Sequence, residues 1–418
     1  MSRKRVIVGA VLVLSVLVVA SLADVVGGRF LQDDESALSD IIVDARKRAT
    51  TYRRVNVTDD PLEQNAAVSY QLAFKKLAEL PQDAFPRVRD AVERDEPATA
   101  EAAFRQYCQE IKSPRVSDGL RSTYCDWKMD VSLDELPGAP FFPQSAILGC
   151  CLVLEGQMDQ HVASRRAAAD RYFQAAAYAS DLGQGSWPMA LAGISTSKRA
   201  LRALADLISS ILDDPSLLSV IKQELATLQT AMPGLNPGLS WDSSHVANAL
   251  EQIRRSYIAR RATPGGRLWP WQAIGAWRLS RSLRLAARLR SAAATADLDQ
   301  IRQLGPQIDR DGAPGRGAVV YALPPRWDKV VQEVDVLHEL LTAVQMAVPL
   351  QEWRLAHGSY PATLPSGQMS ARYPLAYRPS SDKHAYQFVS RTGGIVLDVS
   401  DGALRNRTLK NQAPSPSK

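Results

Sequence analysis

From Ala146 to Met232 the chain reads as helix after helix built on small residues: "AILGCCLVLEGQMDQHVASRRAAADRYFQAAAYASDLG", then "MALAGISTSKRALRALADLISSILDD", then "PSLLSVIKQELATLQTAM". No other feature narrows the fold as much. Small side chains at helix contacts let antiparallel neighbours approach closely, so the expectation is a helical-hairpin array. No consensus of fixed period, of the tetratricopeptide kind, recurs along it. With 418 residues, 45% of them hydrophobic and 22% charged, the chain has enough apolar material for two or three domains with ordinary cores.

Helical patterns also precede the array. Ser36 to Tyr52 places Leu38, Ile41, Ile42 and Ala45 at helix spacing. "PLEQNAAVSYQLAFKKLAEL", bounded by Pro61 and Pro81, carries a stripe of Ala66, Tyr70, Ala73, Phe74 and Leu77. "EPATAEAAFRQYCQEI" predicts a further helix with Pro97 in its first turn. After the array, "MPGLNPGLSWDSS" breaks the pattern, and Asp242 or Ser243 can cap "HVANALEQIRRSYIARRA". "TPGGRLWPW" is a second break, and the Gly- and Pro-containing stretch from Gly305 to Pro325 reads as a linker.

The last module differs from the rest. "RWDKVVQEVDVLHELLTAVQMAVPLQEWRLAHG" spaces Val330, Val334, Leu337, Leu341, Val344 and Val348 three and four apart, which predicts a long helix kinked near Pro349. Gly358 should end it, and Pro361 should prevent it from resuming. "YPLAYRP", "HAYQFVS" and "GGIVLDVS" then predict a small antiparallel meander, for which the long helix is the expected cover.

At the other end, Arg3, Lys4 and Arg5 precede a run without charge from Val6 to Ala23. A helix of about 20 residues spans the hydrocarbon layer at roughly 1.5 Å per residue, and the basic cluster should stay in the cytoplasm. In a bacterial cell everything after Asp24 would then lie in the periplasm. The alternative is a cleaved signal peptide, since Ser21-Leu22-Ala23 has the small-x-small form a signal peptidase accepts. The run exceeds the usual h-region of about 7 to 15 residues, which favours a retained anchor. Both readings export the remainder, and no cysteine at the end of the run indicates a lipoprotein.

Export permits disulfides among Cys108, Cys125, Cys150 and Cys151. Cys108 and Cys125 flank the polar segment "QEIKSPRVSDGLRSTY", and closing a loop of that size stabilises a fold by about 3 kcal/mol, so this is the expected pair. Cys150 and Cys151 lie in the apolar run "AILGCCLVL", where buried free thiols are equally expected. The spacing fits no zinc pattern.

The net charge of +6 is unevenly spread. From Arg254 to Arg290 arginine is the only charged residue type, with Trp269, Trp271 and Trp277 interleaved. On a helix Arg278, Arg281, Arg284 and Arg288 fall near one face, suited to an anionic membrane surface or an acidic protein partner. The alternative is a solvated arginine face paired with carboxylates of other helices. Nucleic acid is not expected, because an exported protein rarely meets it and no nucleic-acid module is visible.

The ending on His357, Gly358, Tyr360, Pro361 and Leu364, followed by strands carrying "YPLAYRP" and "YQFVS", resembles the C-terminal half of type II secretion pseudopilins. That resemblance spans about Val330 to Asp401 and implies a helix passing through a Gly-x-Tyr-Pro turn onto a β-meander. A pseudopilin carries this module directly on its membrane helix behind a prepilin-peptidase signal. Here no such signal exists and about 300 residues intervene, so the resemblance implies no pseudopilus subunit. More loosely, "YCDWKMDVSLDELPGAPFFPQSAILGCCLVLEG" with "AAADRYFQAAAYASDLG" resembles uncharacterised exported or membrane-anchored bacterial proteins with an N-terminal anchor and Ala-rich hairpins. It implies an architecture and no activity.

Catalytic signatures do not stand out. His161, His245, His338, His357 and His384 are scattered, and His338-Glu339 lacks the second histidine of H-E-x-x-H. No G-x-S-x-G, P-loop or G-x-G-x-x-G occurs, and Ser243-Ser244-His245 are only sequence neighbours. Asp33-Asp34, Asp59-Asp60 and Asp213-Asp214 sit where helices begin or end, and capping explains them. No cofactor or metal is indicated. The expected chain is mainly α: a transmembrane anchor or signal peptide (1–26), an α-helical hairpin domain (27–304), a linker (305–326), an α+β pseudopilin-like module with a three-stranded antiparallel meander (327–405) and a disordered tail (406–418). The expected role is a non-catalytic periplasmic scaffold or interaction protein. The alternatives are an envelope hydrolase with a fold-assembled site and a secretion-system accessory protein.

Overall fold

The computed structural model describes residues 62–109, 114–127, 142–162, 164–185, 187–230, 327–364, 373–391 and 394–399. The expected anchor, the helix from Ser36 to Tyr52, the arginine run with Arg278, Arg281, Arg284 and Arg288, the linker and the tail lie outside the described residues. In chain order the described elements begin with β1 (Leu62–Asn65), α1 (Ala66–Leu77), α2 (Ala84–Arg94) and α3 (Pro97–Ala103). Helix α3 runs on into a π-helical turn, Phe104–Cys108. Next come α4 (Pro114–Arg121), β2 (Ser122–Tyr124), α5 (Phe142–His161), α6 (Arg165–Leu182), α7 (Trp187–Ser210) and α8 (Pro215–Thr230). The terminal elements are α9 (Trp327–His357), β3 (Ala376–Pro379), β4 (Tyr386–Val389) and β5 (Ile395–Val399). The chain divides into two compact units, and Ala49–Met129, Gly138–Leu235 and Gln332–Lys418 form one of them.

The described part is mostly helical, and its centre is α5. Every residue from Ser145 to Leu154 is buried, so this stretch has no solvent-facing side and must be covered all round. Helices α6 and α7 do most of the covering, and small residues set how closely they come. Ala168, Ala169, Ala175, Ala176, Ala179, Ala190 and Ala192 are all buried. At Gly193 of α7 the approach is tightest against main chain, since an added Cβ would lie 2.5 Å from the carbonyl oxygen of Ala179 in α6.

The run from Pro61 to Pro81 is not helical throughout, as its periodicity suggests. Its first residues form β1, which pairs in parallel with β2. Asn65 explains the change, because its side chain is used at the junction. Its Oδ1 accepts from the Ala67 N–H at 3.1 Å, capping α1, and from the Asp126 N–H at 2.8 Å. Its amide donates to the Asp126 carbonyl at 2.6 Å, fastening the segment after β2. The expected stripe of Ala66, Tyr70, Ala73, Phe74 and Leu77 is buried throughout.

Helix α9 buries the expected Val334, Leu337, Leu341, Val344 and Val348, and it continues through Pro349. Polar ends of its side chains reach the hairpins. Gln351 donates to the Ile211 carbonyl at 2.6 Å, satisfying a group left open where α7 ends, and Gln345 donates to the Gln229 side chain of α8 at 3.1 Å. Gly358 closes α9 at φ +77°, its N–H bonded to the Arg354 carbonyl at 2.8 Å.

Strands β3, β4 and β5 form the antiparallel meander in that order, with Ala376 opposite Val389 and Tyr386 opposite Val399. Strand β5 meets α7, so the hairpins contribute to the cover expected from the terminal helix alone. Tyr360, just past α9, supplies the link from that side. Its ring meets Tyr386 edge-on at 4.7 Å, and its hydroxyl donates to Gln351 at 2.8 Å.

Because the obstruction at Gly193 is backbone and cannot rotate away, Gly193→Ala should destabilise the full chain by about 1–3 kcal/mol in denaturant titration. Gly394→Ala, whose Cβ would find its nearest neighbour at 3.7 Å, should be near neutral. Equal stabilities for the two variants would refute close α6–α7 approach as the governing contact.

Candidate functional site

The disulfide joins Cys108 to Cys151, with Cα atoms 5.6 Å apart, and corrects the expected Cys108–Cys125 pair. Helix packing overrides sequence proximity here. The π-helical turn ending at Cys108 lies against α5, which carries Cys151. Cys125 comes just after β2 and is held by its neighbours: Asp126 is bound to Asn65, and the Trp127 indole donates to the Asp181 carbonyl at 2.7 Å. Cys125 and Cys150 are buried and lie outside the disulfide, and burial pushes the Cys150 thiol up from its ordinary value.

Asp181, fully buried near the end of α6, is the hub of an aromatic cluster. The Tyr70 hydroxyl of α1 donates to its carboxylate at 2.9 Å. Tyr70 in turn meets Tyr178 edge-on at 4.9 Å, and Phe74 stacks on Trp127 at 6.0 Å. The Tyr178 hydroxyl donates to the Ser145 carbonyl of α5 at 3.1 Å, and burial raises its pKa well above that of an ordinary phenol. The hydroxyls of Tyr70 and Tyr178 and the Trp127 indole all have acceptors within the fold, so the cluster ties α1, α5 and α6 together.

A second concentration of charge lies on α7. Lys198 ion-pairs with Glu333 of α9, and Arg199 lies 3.6 Å from Glu93 of α2 while donating to the Ser195 hydroxyl at 2.6 Å. Arg89 of α2 shares Glu93 at 3.8 Å. Arg202 completes the strip one turn on, and it is half-buried. Only the i, i+1, i+4 spacing of Lys198, Arg199 and Arg202 could have signalled this strip in the sequence, and such spacing ordinarily means a solvated face.

Among the described residues the histidines do not converge. His161 sits 3.3 Å from Asp95, which caps α2 with φ +51°, and burial raises the Asp95 carboxyl against the opposing pull of His161. His338 stacks on Tyr373 at 5.1 Å and His357 on Trp353 at 4.0 Å. Among the described residues no three His, Cys, Asp or Glu side chains are grouped to hold a metal ion. Asp214 acts as the expected cap: it accepts from the Ser216 hydroxyl at 2.6 Å and the Leu217 N–H at 3.0 Å, and these bonds hold its carboxyl below the usual range. Asp213 pairs with Arg165 at 2.5 Å. Asp33-Asp34, Asp59-Asp60 and Ser243-Ser244-His245 lie outside the described residues.

Comparison with family models, with curated proteins and with solved structures returns no match for this chain.

Two measurements bear on these sites. The bridge closes a loop of 43 residues and should contribute about 4 kcal/mol by chain entropy, so Cys108→Ser or Cys151→Ser should destabilise far more than Cys125→Ser. Non-reducing peptide mapping should recover Cys108 linked to Cys151, and a recovered Cys108–Cys125 peptide would reverse the assignment. Tyr70→Phe leaves the buried Asp181 carboxylate one donor short and should cost about 1.5–3 kcal/mol in equilibrium unfolding, whereas Tyr124→Phe, exposed on β2, should cost little.

Proposed function

We propose that the chain is an exported, membrane-anchored protein of the bacterial envelope that serves as a non-catalytic scaffold or interaction protein. The observation that carries the reading is the Cys108–Cys151 bridge inside the hairpin core, since a structural disulfide of this kind belongs to an oxidising compartment. It agrees with the basic cluster and uncharged run at residues 3–23, which direct the remainder of the chain across the membrane. Among the described residues no helix is long and apolar enough to cross a membrane, and the uncharged run lies outside them.

Interaction is favoured over catalysis by how the enclosed polar groups are used. Asp181, Gln351 and Gln157 bond to Tyr70, to Ile211 with Tyr360, and to the Val92 carbonyl, respectively, and so hold elements together. Contact surfaces would be the hairpins and the arginine run with Arg278, Arg281, Arg284 and Arg288, facing an anionic membrane surface or an acidic protein. A secretion-system accessory role is the second reading, favoured by the order of long helix, Gly358 turn and three-stranded meander.

Alkaline phosphatase fused after Lys418 should be active in cells, and inactivity in well-expressed fusions would overturn the export reading. The same fusion separates anchor from leader: the expected species keeps its N-terminal run and stays in the membrane fraction, whereas a mature chain starting at Asp24 would replace the anchor with a cleaved signal peptide.

A further inference from the structure

The native bridge joins Cys108 to Cys151 and passes over Cys125, which lies between them in sequence, is buried, and stays outside the disulfide. In a chain that has not yet folded, this is not the pairing that forms most readily. Cys108 and Cys125 are 17 residues apart, whereas Cys108 and Cys151 are 43 apart. Closure falls off with the three-halves power of loop length, so the shorter loop closes about fourfold more often. Chain order adds to this. An exported chain presents Cys108 and Cys125 to an oxidant before Cys151, which follows Cys125 by 26 residues. The adjacent pair Cys150–Cys151 does not compete, because Cα atoms across a trans peptide lie about 3.8 Å apart, below the usual disulfide range of about 4.4–6.8 Å.

Folding then changes which sulfurs meet. The π-helical turn that ends at Cys108 docks on α5, and the Cα atoms of Cys108 and Cys151 come to 5.6 Å. Cys125 is fixed by another set of contacts: Asn65 of β1 binds Asp126, and Trp127 donates to Asp181 of α6. We infer that Cys125 is a maturation thiol: the chain first closes Cys108–Cys125 and passes the bond to Cys151 as α5 is enclosed, an inference that rests on the export reading for its oxidant. In the first step two thiols give up two protons and two electrons to a disulfide donor of the oxidising compartment. The second step is redox-neutral. The Cys151 thiolate attacks Cys108 Sγ, the Cys108–Cys125 bond breaks as Cys108–Cys151 forms, and Cys125 leaves as a thiolate that takes up the proton Cys151 released. The exchange precedes final packing, since Cys108, Cys125 and Cys151 are each at most 5% exposed in the finished fold. Enclosure then keeps Cys125 from returning.

The test is oxidative refolding of the reduced full chain in detergent with oxidised glutathione, stopped by acid at intervals and mapped as linked peptides. Cys108–Cys125 should be the most abundant linked pair at early times and should decline as Cys108–Cys151 rises. Early samples freed of glutathione in acid and returned to about pH 8 should complete the conversion, because the transfer uses no external thiol. In Cys151→Ser the transfer lacks its nucleophile, so Cys108–Cys125 should persist to the end of the time course, a readout that does not require the variant to fold. Cys150→Ser should behave as the unaltered chain. Cys108–Cys151 arising with no earlier Cys108–Cys125 would overturn the inference. So would early samples that fail to convert without glutathione, loss of Cys108–Cys125 in Cys151→Ser, or loss of the transfer in Cys150→Ser. Failure of the export reading is seen separately, as an inactive phosphatase fusion, and leaves the exchange itself standing.

Discussion

The stretch of α5 from Ser145 to Leu154 has no face that can be left in water, and the rest of the described structure is organised by covering it. Covering a helix on every side requires neighbours that come close, which is why α6 and α7 meet each other and α5 through alanine and glycine. Large rings enter between the helices only where a small residue faces them, as Tyr172 of α6 does over Gly156 of α5, and a second group of rings, Tyr70, Phe74, Trp127 and Tyr178, gathers around Asp181. A buried carboxylate needs donors, and the Tyr70 hydroxyl supplies one, so the apolar demand of α5 and part of the polar demand of Asp181 are met by the same residues of α1 and α6.

The C-terminal elements depend on the hairpins by a different means. Helices end with open carbonyls, and those at the end of α7 need donors. Gln351 of α9 supplies one at Ile211, then accepts from Tyr360 with its other amide atom. Tyr360 sits where Gly358 has turned the chain away from α9, and its ring faces Tyr386 of the central strand. One amide and one phenol thus connect a helix terminus, a turn and the sheet.

Much of this could be read from the residues, and what escaped did so for identifiable reasons. The helices of the array, the stripe on α1, the stop at Gly358 and the three strands with their order all come from periodicity and turn chemistry, which act over neighbouring residues. Strand β1 escaped because Leu62 to Asn65 form it only through pairing with Ser122 to Tyr124, far along the chain, and periodicity carries no long-range information. Helix α2 was legible in the same way, since its buried face, Ala84, Val88, Ala91 and Val92, recurs at helix spacing within an otherwise charged segment. The bridge escaped for the same reason as β1. Loop length favoured Cys125, while the partner was decided by which helix the π-helical turn at Cys108 touches. The charge strip on α7 was visible as spacing, but its pairing with Glu93 and Glu333 depends on which helices pack against α7 and was not.

The neighbouring cysteines of α5 show how helix geometry divides roles that composition leaves equal. Cys150 and Cys151 have the same chemistry, the same burial and adjacent positions, yet successive residues on a helix point about 100° apart. Cys151 is directed to the π-helical turn and bonds Cys108; Cys150 is directed elsewhere, into surroundings influenced by Arg199, Glu93 and Arg89. Burial keeps its thiol protonated, and a protonated thiol neither attacks a disulfide nor holds a metal. The same full enclosure of α5 that forces the close helix contacts therefore also keeps Cys150 from exchanging with the bridge one residue away.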